Sequence, residues 1–422
     1  MGFAERGDVA CLAAVGLVGL LAGGCRQAGE SPFAGAQPPG LAASANARAD
    51  ITVREPDAFY EPPSGHPGRP GALLRSEPLK NVTLPAGMQG WRILYATTVD
   101  DRTPATAAAT VFAPLEPPPG PRPVITWTHG TTGLMQKCMP SLVSAPTEGV
   151  PARDGVLAEG WVVVATDYSF AEKGGPHPYL IGEGEARAAL DSVRATRQMP
   201  ELVLDERTVA WGHSQGGHSA LWTAIVAPRY APELKVLGVA AIAPAADMRR
   251  ILAVNEQVDK RLGPYLASAY SRFYPDLHFD EAVRPEALQA AREIARLCGF
   301  FPREDAVRIN DLTATFDGGS LAMGTSSRLA ALLDENVADR PIGVPVVIAQ
   351  GLSDAVVRPQ ATEAYVKERC GAGQVLEYWT FDGRDHGTIV QPGTPLERPL
   401  LSWTRARFAN QPGPGACRRA TY

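Results

Sequence analysis

The chain has little surplus charge and few of the residues that metal or nucleic-acid chemistry requires. Its 40 basic and 45 acidic side chains leave a formal charge of −5, and charged residues are only 20% of the 422. That balance argues against a protein held to nucleic acid by a basic surface, and no nucleic-acid partner is expected. Histidine occurs 7 times and cysteine 6 times. No two cysteines form a C-x-x-C pair and no H-E-x-x-H occurs, so the common zinc spacings are missing and no metal site is expected. The dinucleotide fingerprint is missing too, and no cofactor is expected.

Long apolar runs are equally scarce. The charge-free stretch at the N-terminus, residues 9–24, is short and ends in small residues at Cys25, as a secretory leader does. Leu21-Ala22-Gly23-Gly24-Cys25 has the form of a bacterial lipobox, in which Cys25 would be lipidated and would tether the mature chain to a membrane. A plain cleaved signal and an uncleaved N-terminal anchor are the other two readings. All three place the body of the protein outside the cytoplasm, either secreted or in the cell envelope. With Cys11 and Cys25 in the leader, Cys138, Cys298, Cys370 and Cys417 remain, and an exported chain permits disulfides.

Apolar residues make up 45% of the chain, ample for a large core. Residues 26 to about 75 are rich in Ala, Gly, Pro and Ser without a sustained period, and read as a flexible tether. Beyond them, short apolar runs alternate with helical stretches. The expected strands are Ile93–Thr98, Thr106–Phe112, Pro123–Trp127, Trp161–Thr166, Thr208–Trp211, Val236–Ile242, Val344–Ala349 and Val375–Phe381. Nearly continuous apolar strands belong to sheets covered on both faces. Helices are expected over Glu185–Met199 and Gly217–Ala227, the second stopped by Pro228. The alternation predicts a mostly parallel, doubly wound α/β sheet. Residues 248–340 break it, with amphipathic helices such as Pro285–Leu297 and no strong strand. The expected organisation is a leader (1–25), a tether (26–75), a core in two parts (76–247 and 341–422) and a helical cap insertion (248–340).

Gly212-His213-Ser214-Gln215-Gly216 is a G-x-S-x-G set between an expected strand and an expected helix. In that setting the Ser sits on a tight turn with its hydroxyl exposed, and small neighbours let strand and helix backbones approach. This is the nucleophile elbow of the α/β-hydrolase fold, in which an acid and then a His follow in sequence. Only His278 and His386 lie well beyond Ser214, and His278 falls in the expected cap. His386 sits in a Gly-flanked loop after an expected strand, where a parallel sheet places catalytic groups. Asp354, in the loop after Val344–Ala349, is the expected acid, with Asp382 and Asp385 as rivals. The expected oxyanion donors are the N–H of Gln215 and that of Thr131, with Gly130 second, in the loop after Pro123–Trp127.

These residues resemble the secretory lipase family of α/β-hydrolases, of the yeast lipase A type. The resemblance rests on His129-Gly130-Thr131-Thr132-Gly133, the elbow through Gly217, Gly351-Leu352-Ser353-Asp354 and His386-Gly387. It is most specific from Asp167-Tyr168 through Pro176-His177-Pro178-Tyr179-Leu180 to Glu185 and Asp191-Ser192-Val193-Arg194-Ala195, and it covers roughly 90–410. Gln215 in the elbow resembles bacterial members. The resemblance implies a serine carboxylic ester hydrolase acting on lipid-like acyl esters, with a helical cap shaping the acyl pocket. A peptidase or amidase with the same triad, and a catalytically silent binding protein, are the alternatives. Spatial neighbourhood pairs Cys138 with Cys298 and Cys370 with Cys417, and the resemblance also implies a bond tying cap to core.

Overall fold

The computed structural model describes residues 51–65, 68–170, 175–299, 301–324 and 327–422. The expected leader, Cys25 and the tether up to residue 50 lie outside these residues. The stretch from 51 onward departs from the expectation of a tether. Phe59 and Tyr60 are buried with Leu94, Leu142 and Phe170. Arg92 lies 4.2 Å above the Phe59 ring and bonds Asp57 at 2.9 Å. Two large aromatic side chains give a Pro-rich segment enough apolar area to dock.

The described residues form a ten-stranded sheet. Its strands are β1 (Leu73–Pro78), β2 (Met88–Thr98), β3 (Pro104–Pro114), β4 (Arg122–Thr128), β5 (Val162–Ser169), β6 (Leu204–His213), β7 (Lys235–Ile242), β8 (Val346–Gly351), β9 (Glu377–Phe381) and β10 (Arg418–Thr421). The spatial order is β1-β2-β3-β5-β4-β6-β7-β8-β9-β10. The pairs β1–β2, β2–β3 and β3–β5 are antiparallel, and the rest of the sheet is parallel. All eight expected strands are present; β1 and β10 are additions.

Alternation along the strands explains their apolar sequence. Val162 and Val164 pack into one core with the helices Gly182–Thr196 and Gln215–Tyr230, while Val163 and Ala165 join a second core that holds Leu400 and Trp403 of the helix Glu397–Phe408. Both faces are covered, so both sets of side chains must be apolar. The second of those helices runs through Pro228 instead of stopping at Ala227. In the last turn a Pro removes one hydrogen bond without ending the helix.

The chain runs from β4 out to β5 and then back past β4 to β6, so the strand order reverses beside β4. Ligands of open α/β sheets bind at such a reversal, beyond the carboxyl ends of the strands. Between β7 and β8 the regular elements among the described residues are helices, apart from one isolated bridge between Val283 and Leu321. The expected helix Pro285–Leu297 is instead a 3₁₀ turn, Pro285–Ala287, followed by Leu288–Ile294. The inserted helices share a buried cluster with Leu134, Tyr179, Leu180, Val356 and Val357, which lie in the loops after β4, β5 and β8. Disulfides join Cys138 to Cys298 and Cys370 to Cys417.

Candidate active site

Ser214 lies between β6 and the helix Gln215–Tyr230 with φ 58° and ψ −119°. A non-glycine residue held at positive φ stores strain that its surroundings must offset. Here the Ser214 N–H donates to Ile242 O at 2.9 Å and the Ser214 carbonyl accepts from Ala245 N at 3.0 Å, so the turn is clamped to the end of β7. The flanking glycines are dictated by space. A Cβ on Gly212 would stand 1.9 Å from Gly216 O, and one on Gly216 would stand 1.8 Å from Thr128 O. Thr128 Oγ1 lies 2.7 Å from Gly216 O and 3.0 Å from Trp211 O, binding the end of β4 to both sides of the elbow.

Asp354 and His386, the expected acid and base, lie in the loops after β8 and β9. His386 Nδ1 lies 2.8 Å from Asp354 Oδ2. The same carboxylate accepts the N–H groups of Val356 and Val357 at 2.8 and 2.9 Å and the Gln350 amide at 3.0 Å. A carboxylate saturated by donors takes the His386 Nδ1–H as well, which leaves Nε2 with its lone pair free. The rivals are spent elsewhere. Asp385 accepts from Gly387 N and Thr388 N within its own loop, and exposed Asp382 accepts from Gly383 N. His278 is exposed before the short helix Phe279–Ala282.

Ser214 and His386 line one cavity of about 210 Å³ together with His129, Gly130 and Thr131. Ser214 Oγ and His386 share no hydrogen bond among the described residues; such bonds often tighten only when substrate is bound. Nor do the N–H groups of Thr131 and Gln215 donate to any protein acceptor among the described residues. Gln215 opens its helix, so its N–H is one of those a helix leaves unpaired.

Three supports went unread in the sequence. His213 Nε2 donates to His386 O at 2.8 Å, and the two rings lie 4.6 Å apart, so the second residue of the G-x-S-x-G braces the loop that carries His386. Its place in the motif was the available signal. Glu185, fully buried, accepts from Gln215 Nε2 at 2.8 Å and Leu180 N at 2.9 Å, and its Oε2 lies 3.1 Å from His218 Nδ1. Burial pushes the Glu185 carboxyl above its ordinary pKa, against the pull of His218. Asn336, just past the helix Arg328–Glu335, offers its carbonyl to His218 Nε2 at 2.8 Å and to Trp222 Nε1 at 3.1 Å. No local pattern marks a partner over a hundred residues away.

The loop that carries Thr131 rests on a second buried polar group. Thr131 Oγ1 lies 2.9 Å from Tyr179 Oη, and Tyr168 Oη donates to His129 O at 3.1 Å. Burial lowers His129 to about 4 and His177 to about 3, keeping both neutral, and raises Asp167 to about 7. Asp167 Oδ1 accepts the Ser141 N–H at 3.1 Å.

Residues 153–415 match the family model described as secretory lipase. Over 378 residues the chain is 24% identical to a probable inactive lipase of Mycobacterium tuberculosis, covering 84% of this chain and 82% of that protein. Over 418 residues it is 25% identical to a secreted triacylglycerol lipase of Malassezia globosa, covering 88% and 85%. In fold it is similar to Candida antarctica lipase A in its closed state, with a TM-score of 0.64 at 19% identity over 86% of this chain and 87% of that one.

Proposed function

The chain belongs to the secretory lipase family and is a carboxylic ester hydrolase, and from that premise we propose that it cleaves lipid-like acyl esters outside the cytoplasm through a Ser214 acyl-enzyme. In this reading His386 Nε2 takes the Ser214 proton as Oγ attacks the ester carbonyl, and Asp354 orients the imidazolium that forms. The N–H groups of Thr131 and Gln215 hold the tetrahedral oxyanion. The protonated His386 then gives its proton to the departing alcohol, and water activated by the same His releases the acid. Residues 248–340 act as the cap over the cavity. The observation that carries the reading is the Asp354–His386 hydrogen bond beside a cavity shared with strained Ser214. Both disulfides fit an exported chain.

The inactive relative makes catalytic competence the first thing to measure. Para-nitrophenyl ester hydrolysis should fall by on the order of 10⁶-fold in Ser214→Ala or His386→Ala and by on the order of 10⁴-fold in Asp354→Asn, with circular dichroism unchanged. Native-level hydrolysis by Ser214→Ala, or silencing by His278→Ala in place of His386→Ala, would defeat the assignment. Turnover of aminoacyl anilides in preference to esters would point to an amidase.

A further inference from the structure

The cavity that holds Ser214 and His386 has mostly apolar walls, including Trp127, Val143, Val258 and Leu262. Three charged side chains other than histidine line it: Lys137, Glu148 and Arg261. Two of them are neutralised on the spot, Lys137 by Asp305 at 2.7 Å and Glu148 by Arg153 at 2.6 Å. Arg261 is not. Among the described residues no carboxylate pairs with it, and its one hydrogen bond goes from Nη1 to the neutral Asn310 Oδ1. Burial lowers its pKa from the ordinary value, with no carboxylate to offset that effect. A desolvated guanidinium with donors to spare is costly to keep in an apolar wall unless something anionic visits it.

Position along the helix Glu256–Phe273 adds direction. Gln257, Arg261 and Tyr265 recur every four residues, hence on one face, and all three line the cavity. Exposure falls along this stripe, from exposed Gln257 through half-buried Arg261 to buried Tyr265. Tyr265 packs 5.9 Å from the Tyr179 ring, and Tyr179 Oη meets Thr131 Oγ1 at 2.9 Å. Arg261 therefore stands one turn, about 6 Å along the axis, outward from the residue that abuts the oxyanion loop.

We infer that Arg261 is a specificity-determining residue that receives a carboxylate carried by the substrate, so that the preferred esters are anionic at one end. The inference rests on the ester-hydrolase reading. A guanidinium binds a carboxylate through paired N–H···O bonds, and that match is stronger in a site shielded from water. The carboxylate can belong to the acyl part, as in a half-ester of a dicarboxylic acid, or to the alcohol part. The shared chemistry is the same in both.

The test compares kcat/KM within two matched substrate pairs. For the acyl side these are mono-para-nitrophenyl glutarate and para-nitrophenyl valerate. For the alcohol side they are para-carboxyphenyl butyrate and para-carbamoylphenyl butyrate. The readout is the anionic-to-neutral ratio in the full chain, in Arg261→Met and in Arg261→Lys. Arg261→Met should lower the ratio by roughly tenfold or more in one pair, and Arg261→Lys should recover part of it. The pair that responds identifies the end of the substrate that Arg261 reads. Ratios unchanged in both pairs would overturn the inference, whatever the absolute rates. Failure of the unaltered enzyme on all four esters would instead sink the ester-hydrolase reading.

Discussion

Removing the Cys138–Cys298 bond should cost more stability, and disturb the cavity sooner, than removing Cys370–Cys417. The first bond spans 160 residues and the second 47. In the chain-entropy description these spans are worth about 5 and about 4 kcal/mol. Cys138 and Cys298 are buried, so replacing them with Ala also leaves a small cavity, whereas Cys417 is exposed. Against a total stability on the order of 5–15 kcal/mol, loss of the first bond is a large fraction. Its location matters as much as its size. It joins the loop that carries Thr131 to the inserted helices, and without it the nearby ties are the Gly299 N–H to Thr132 O bond at 2.8 Å and the Lys137–Asp305 pair. Urea titration of Cys138→Ala/Cys298→Ala, read both by tryptophan fluorescence and by residual para-nitrophenyl ester hydrolysis, should show activity lost at lower urea than fluorescence. The Cys370→Ala/Cys417→Ala variant should show the two transitions together, at a midpoint nearer that of the unaltered enzyme. The reverse order of midpoints, or coincident transitions in the first variant, would refute the argument.

Other outcomes follow from single contacts. Asp167, raised to about 7 from 3.8 by burial, binds more protons folded than unfolded between those values. Its favourable contribution is therefore complete below about pH 4 and lost as pH rises through 7. Asp167→Asn should accordingly gain on the unaltered enzyme in urea midpoint between pH 5 and 8, and a constant difference over that range would contradict this. Gly216→Ala would drive a Cβ to 1.8 Å from Thr128 O, so the variant should fail to accumulate or should be inactive when purified; a folded, active enzyme would refute the packing argument.

The central strands were legible because strands covered on both faces need an apolar side chain at every position, and the run Val162–Ala165 obeys that. β1 and β10 were not. Leu73–Pro78 is half-exposed at one edge, and Arg418–Thr421 is a four-residue edge strand mostly in solvent. Neither carries an apolar period. Tyr60 and its neighbours were misread because composition describes a segment's average, whereas two buried rings suffice to dock it. The sequence order of Ser214, Asp354 and His386, backed by strand placement, anticipated the Asp354–His386 hydrogen bond and the cavity that Ser214 and His386 share. The braces behind them were not, since Glu185, His218 and Asn336 meet only through the fold. Arg261 was invisible for a related reason: a lone Arg on a helix has no meaning until its lack of a carboxylate partner among the described residues is known.

Asn336 bears on how this scaffold can be re-engineered. Exchanging the segment between β7 and β8 for that of a relative would replace much of the cavity wall, including Val258, Arg261, Leu262 and Tyr265. A graft with its downstream junction placed after Asn336 would discard the side chain that accepts the Gly182 N–H at 3.0 Å, and would keep the backbone carbonyl that His218 and Trp222 share only if the incoming residue follows the same path. The N–H at the start of the helix Gly182–Thr196 would then lose its acceptor. A junction between the helix Arg328–Glu335 and Asn336 exchanges the pocket wall while leaving that three-way anchorage with the recipient.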